Sequence, residues 1–145
     1  MEKPRFERSD AWIFVSIANY RGETGVSLRD LIGTADYINH AIPDQEEIEG
    51  AITRLSTAGL ATLRDELFFL TAAGRALWEE PGAKGRSLLK KWERVAERLR
   101  TAEFPELEVS PYKLETGRFE KVLREYHEGF SKTLENTQHK KQKPQ

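Results

Sequence analysis

The stretch from Asp44 to Glu80 narrows the folds open to this chain more than any other part of it. Ile48, Ile52 and Leu55 fall at i, i+4 and i+7 and, with Ala51, form one apolar helical face. Gly59 follows where a left-handed helix cap takes no side chain, so the helix is predicted to stop there. Ala61 to Arg64 and Leu67 to Leu70 are extended-type runs. The Asp65-Glu66 between them has the length of a two-residue hairpin turn, although it lacks the Gly or Asn such turns favour. Thr71 can then cap a second helix, to which Ala72, Ala76, Leu77 and Trp78 give good helix formers and an apolar side. Helix, hairpin, helix is half of a winged helix.

At these residues the chain resembles a known family. Ile48 through Leu60, the hairpin, and Leu70-Thr71-Ala72-Ala73-Gly74-Arg75-Ala76-Leu77 are similar to the recognition helix, wing and following helix of winged helix-turn-helix proteins of the bacterial MarR/PadR-like kind. Many of those carry a Leu-Thr-x-x-Gly-x-x-Leu string just after the wing. The resemblance covers roughly residues 9 to 80. It implies a mainly α fold with a small two-stranded β wing, and the activity of a DNA-binding transcriptional regulator. Because one fold hosts many activities, function has to be argued from the site.

The remainder of the chain is read around that unit. Met1 to Arg8 is polar and expected to be a loose arm. Ser9 can cap a helix through Ala11, Trp12, Ile13, Phe14, Val15, Ile17, Ala18 and Tyr20, apolar almost all round and therefore buried on two sides. One side suits the winged-helix core and the other needs the C-terminal helices or a second subunit. Arg21 to Gly25 reads as a turn. Ser27 and Asp30 form a plausible capping box for a helix through Leu28, Leu31, Ile32 and Ala35. Asp36 to Ile42 either extends it or forms a further short turn before Pro43, which lengthens the connection beyond that of a DNA-reading helix-turn-helix.

Pro81 to Gly85 reads as a hinge to a helical appendage over 81–135 that serves packing or dimerisation. Leu88, Trp92, Val95 and Leu99 form one coiled-coil-like seam, and Phe119, Leu123, Tyr126, Phe130 and Leu134 another; the two either satisfy each other as a hairpin or bury themselves across a two-fold axis, and with the spare apolar face of the first helix a homodimer is the favoured expectation. Pro105 to Pro111 between them is a short edge strand or an extended crossover. Residues 136–145 lack apolar side chains and are expected to form a flexible tail.

Charge decides between functions. Residues 1–80 hold 8 Lys and Arg against 14 Asp and Glu, a net of −6, and residues 81–145 hold 15 against 10, a net of +5. The winged half is acidic. In a DNA-reading winged helix the start of the third helix enters the major groove among phosphates. Here those positions are Asp44, Gln45, Glu46, Glu47 and Glu49, which suit the helix dipole but repel a duplex. Thr53, Arg54, Ser56 and Arg64 are the groups left to contact nucleic acid. Lys90, Lys91, Arg94 and Arg98 form an alternative basic face, unless that face pairs with the acidic half. Glu46 and Glu49 are the candidate contacts to a basic protein partner. Two functions follow: a DNA-binding regulator, and a winged helix used for protein contact.

Catalysis has no visible machinery. No Gly-rich phosphate loop and no G-x-S-x-G elbow occurs, and no cofactor or metal set is expected. Asp36 and His40 stand at i, i+4, yet no third ligand or nucleophile has the spacing to complete a site, so they read as an exposed pair at a helix end. His127 reads as a surface or interface residue. Trp12, Trp78 and Trp92 suit packing better than a cofactor box. With no cysteine, no signal-peptide pattern and no apolar run of spanning length, the expected setting is the cytoplasm, away from membrane.

Overall fold

The computed structural model describes residues 5–20, 25–80 and 87–129. The elements run α1 (Arg8–Asn19), α2 (Leu28–Asn39), α3 (Gln45–Thr57), β1 (Ala61–Arg64), β2 (Leu67–Leu70), α4 (Ala72–Trp78) and α5 (Leu88–Thr101). A sixth helix, α6, follows over 118–129. The architecture is mainly α with a two-stranded antiparallel wing.

The wing forms in the expected register, with Ala61 opposite Leu70 and Arg64 opposite Leu67. Its turn is made without glycine: Asp65 and Glu66 sit at φ 51° and 65°, the left-handed pair a type I′ hairpin demands. Val26 adds a third edge, exchanging two backbone hydrogen bonds with Phe68 at 2.8 and 2.9 Å. Phe68 is therefore held from both sides and is fully buried.

The Leu-Thr-x-x-Gly-x-x-Leu string has a physical purpose at this point. The Thr71 hydroxyl accepts from Gly74 N at 3.0 Å and donates to Gly59 O at 2.5 Å, tying the start of α4 to the end of α3. A Cβ on Gly74 would run into the Leu60 carbonyl, and Leu77 is buried one turn later. Gly59 itself adopts φ 75°, as a left-handed helix end requires.

At the centre lies α1, buried continuously from Asp10 to Ala18 and packed by α2, α3 and α5. Trp12 donates to Ala35 O at 3.0 Å and stacks on Trp92, with ring centroids 6.1 Å apart. Val95 and Leu99 of α5 and Val122 of α6 belong to the same core as the winged helix. The described residues beyond 87 are thus built into one core, and the α1 and α5 faces that predict a homodimer meet each other within the chain. Along α6, Phe119, Leu123 and Tyr126 are partly buried around Val122, while Phe130 and Leu134 lie outside the described residues.

Two local expectations change, and two alternatives the sequence leaves open are decided. The cap of α1 is Glu7 rather than Ser9, because Glu7 N donates to Asp10 Oδ2 at 2.9 Å one turn on. Residues 5–8 are not a loose arm: Arg5 donates to the carbonyls of Phe104 and Pro105, and Phe6 meets Phe104 edge-on. Helix α2 runs unbroken to Asn39, where His40 at φ 54° ends it, so the connection to α3 is residues 40–44. Residues 103–115 form an extended crossover with no strand pairing. The hinge at 81–85 and the tail at 136–145 lie outside the described residues.

Candidate functional site

The segment 105–115 passes back across α3 in the opposite direction and covers the face expected to read DNA. Pro105 and Leu107 lie beside Gly59, and Leu107 N donates to Thr57 O at 2.8 Å. Tyr112 N donates to Thr53 Oγ1 at 2.8 Å and Leu114 N to Glu49 Oε2 at 2.7 Å. Residues 49, 53 and 57 repeat every four, which puts these acceptors in one row on the helix. An extended chain supplies donors to that row with no ladder of its own.

The row itself is polar. Thr53 Oγ1 donates to Glu49 O and Thr57 Oγ1 to Thr53 O, both at 2.8 Å, so each hydroxyl is oriented by its own helix. That leaves the Thr53 oxygen lone pair free to accept from Tyr112. Glu49 is 8% exposed, yet its carboxylate is satisfied by Leu114 N, by Gln45 Nε2 at 3.1 Å and by Lys113 Nζ at 3.9 Å. The hydrogen bond from Leu114 N holds the Glu49 carboxyl below its ordinary pKa, against the opposing effect of burial. Tyr112 anchors the segment by standing edge-on to Phe68, with centroids 5.6 Å apart. Burial pushes its phenol up to about 12.

Under the segment lies a cavity of about 470 Å³ with Leu28, Ile52, Leu63 and Tyr112 on its walls and Arg118 and Glu66 at its rim. From Pro105 to Pro111 the segment is exposed throughout, and Leu107 and Val109 face solvent.

The sequence candidates for nucleic-acid contact separate once placed. Arg54 is turned away from the groove-reading face: its Nε and Nη2 donate to the two oxygens of Asp10 at 2.6 and 2.8 Å, and Glu7 lies 3.4 Å off. Asp10 is fully buried, so this guanidinium is a structural counter-ion and the expectation that it meets phosphate is revised. Thr53 is likewise engaged under the segment, and Ser56 lines the cavity. Arg64 stays exposed on the wing, over the Phe69 ring at 4.3 Å. Of the protein-contact pair, Glu46 is exposed but Glu49 is covered, a revision with the same cause.

The basic face of α5 is also partly consumed. Arg94 donates to Leu77 O and Trp78 O, closing the C-terminus of α4, and reaches Glu80 at 3.1 Å. Arg98 joins the same carboxylate. Lys91 lies over the Trp78 ring at 5.3 Å, and Lys90 is exposed. Arg118 pairs with Glu66 of the wing at 3.6 Å. Opposite charges of the two halves thus meet within the chain, as the alternative for that face foresaw.

Asp36 and His40 form no side-chain site: the Asp36 carboxylate accepts from Tyr126 Oη at 2.7 Å, and His40 closes α2 through its backbone N–H. Among the described residues no group of three His, Cys, Asp or Glu could hold a metal ion. No helix among them is long and apolar enough to cross a membrane. Comparison with protein-family models, with curated proteins and with solved structures finds no match.

The covering segment had one legible signal, the extended run bracketed by Pro105 and Pro111. Its landing place had none, because the donors that fix it are backbone N–H groups, which every non-proline residue carries.

Proposed function

We propose that this winged helix serves as a protein-interaction module in the cytoplasm, with the face of α3 and the wing receiving an extended peptide segment. The observation that carries the reading is the row Glu49, Thr53, Thr57, which takes three backbone N–H groups from 107, 112 and 114. A helix face that enters a major groove needs donors and cations for phosphate and base edges. This face offers acceptors, with Glu46 at its exposed end. Acceptors in a row complement the backbone donors of an extended chain and repel a polyanion.

The regulator reading rests on the resemblance, and its strongest cation, Arg54, is committed to Asp10. Titration of random-sequence duplex DNA into the full chain across a salt series tests the choice. The expected result is no binding at physiological salt, or binding weaker than the ~10⁻⁴ to 10⁻⁶ M usual for nonspecific contact. Micromolar affinity with a steep salt dependence would overturn the module reading in favour of a DNA-binding regulator.

A further inference from the structure

We infer that segment 105–115 is a displaceable internal occupant of the α3 groove, and that the groove's partner is an extended peptide carrying an aromatic, a cationic and an aliphatic residue in succession, the chemistry of Tyr112-Lys113-Leu114. This rests on the interaction-module reading and specifies its partner.

The contacts show why the segment can leave. What it bonds on α3 is the Glu49 carboxylate, the Thr53 hydroxyl and the Thr57 carbonyl at the helix end, groups that water satisfies as well as the segment does. The main chain of α3 keeps its own hydrogen bonds. The apolar core beneath, Ile48, Ala51 and Leu55, is fully buried, with Tyr112 and Leu114 packed against its edge. Release therefore exposes mainly Tyr112, Leu114 and the part of the wing they cover. The stretch from Pro105 to Pro111 is exposed along its length, held by Arg5 at the Pro105 carbonyl and by one bond from Leu107 to α3, and a cavity of about 470 Å³ lies unfilled beside residues 109–115. An occupant that does not fill its groove leaves room for one that fits better.

The same contacts specify the partner. Glu49 and Thr53 select a backbone that offers N–H groups two residues apart, those of 112 and 114. The edge of Phe68 selects an aromatic side chain at the first of these positions, and Glu49 selects a cation between them, as with Lys113. An acidic peptide or a nucleic acid meets Glu46, Glu49 and Glu66 with the wrong sign. A tethered segment competes at an effective concentration on the order of millimolar, so the groove admits a partner only in the fraction of molecules whose segment has lifted.

The test uses the full chain and a fluorescent peptide with the sequence of residues 105–117. Two variants loosen the internal copy and leave the groove intact: Tyr112→Ala with Leu114→Ala, and the gentler Lys113→Glu at a mostly exposed side chain. Circular dichroism reports folding, and hydrogen exchange at residues 112 and 114 reports release. The peptide is expected to bind the loosened variants at least roughly tenfold more tightly than the wild type, which corresponds to an internal copy seated in about nine molecules of ten or more. Replacing the aromatic and cationic residues of the peptide by Ala and Glu should abolish binding. Folded variants whose residues 112 and 114 exchange freely yet bind the peptide no better than wild type would overturn the inference while leaving the module reading standing. Concentration-dependent dimerisation of the loosened variants, without peptide uptake, would overturn it in favour of segment exchange between two copies. Uptake of random duplex DNA by the loosened variants would instead overturn the module reading itself.

Discussion

Arg54 clasps both carboxylate oxygens of Asp10, at 2.6 and 2.8 Å, and so ties the middle of α3 to the first turn of α1. Asp10 is 0% exposed, which makes this guanidinium the partner of a charge that water cannot reach. The hydrogen bond to this carboxylate raises the Arg54 pKa further, so the guanidinium stays charged throughout the working range. Arg54→Ala should destabilise the fold by about 3 kcal/mol, the lower end for a broken buried pair because the guanidinium keeps some contact with water. Urea unfolding measures it. A loss under about 1 kcal/mol would show that Asp10 finds another partner.

A change in the opposite direction is expected at the wing tip. Glu66 holds φ 65°, a conformation that costs an L-residue roughly 1 kcal/mol, and its ion pair with Arg118 is mostly exposed. Glu66→Gly gives the turn the Asp-Gly sequence that type I′ hairpins favour. After allowance for the greater freedom of Gly in the unfolded chain, a gain of about 0.5 to 1 kcal/mol is expected, read as a higher urea midpoint at unchanged slope.

At Gly74 the constraint is space rather than φ. A Cβ there would meet the backbone carbonyl of Leu60, which cannot swing aside as a side chain could. Gly74→Ala should therefore cost about 2 kcal/mol despite the better helix propensity of Ala, with α4 pushed off the wing. Thermal unfolding together with the amide shifts of Leu60 and Thr71 checks both the size and the place of the effect.

These three sites mark what the sequence could and could not disclose. The helices, the wing and the Thr71 cap were legible because periodicity, turn length and capping chemistry are local. Gly74 was visible as part of a string, but its cause is an approach to Leu60 across the fold. Arg54 looked like a surface cation because a helix face reveals its apolar side, not which polar neighbour comes from elsewhere. Asp10 is 44 residues away in sequence and sits in a helix whose other positions read as apolar core. Glu49 misled in the same way: one position among four acids gives no hint that it alone lies beneath a distant segment.

Glu49 also sets a pH dependence. Its folded-state pKa lies below the ordinary carboxylate value, chiefly through the hydrogen bond from Leu114 N. A depressed carboxylate contributes stability that is fully present above the ordinary value and is lost as pH falls through it towards the folded-state pKa. Between neutral pH and the onset of acid, the protection of the Leu114 amide relative to its free-chain exchange rate should stay high, and it should fall as the solution passes below the ordinary carboxylate range. Glu49→Gln should remove that step, leaving protection at Leu114 lower and flat with pH. A step that survives in the Gln variant would assign the titration to another carboxylate.

Two acids on the same helix should then answer charge reversal differently. Glu46 is exposed in the first turn of α3, so Glu46→Lys loses only a favourable dipole interaction of about 0.3 to 1 kcal/mol and leaves segment 105–115 in place. Glu49→Lys removes the acceptor of Leu114 N, leaves that donor of the segment unpaired against α3 and sets a cation facing Lys113. The segment should lift at residues 112–114, since Thr53 and Phe68 alone would hold that end against like-charge repulsion. Hydrogen exchange separates the two outcomes: residues 112 and 114 should be protected in Glu46→Lys as in wild type and unprotected in Glu49→Lys, with the amides of Ile52 and Leu55 slow in both. Protection at 112 and 114 that survives Glu49→Lys would mean that packing of Tyr112 on Phe68, not the polar row on α3, holds the segment down.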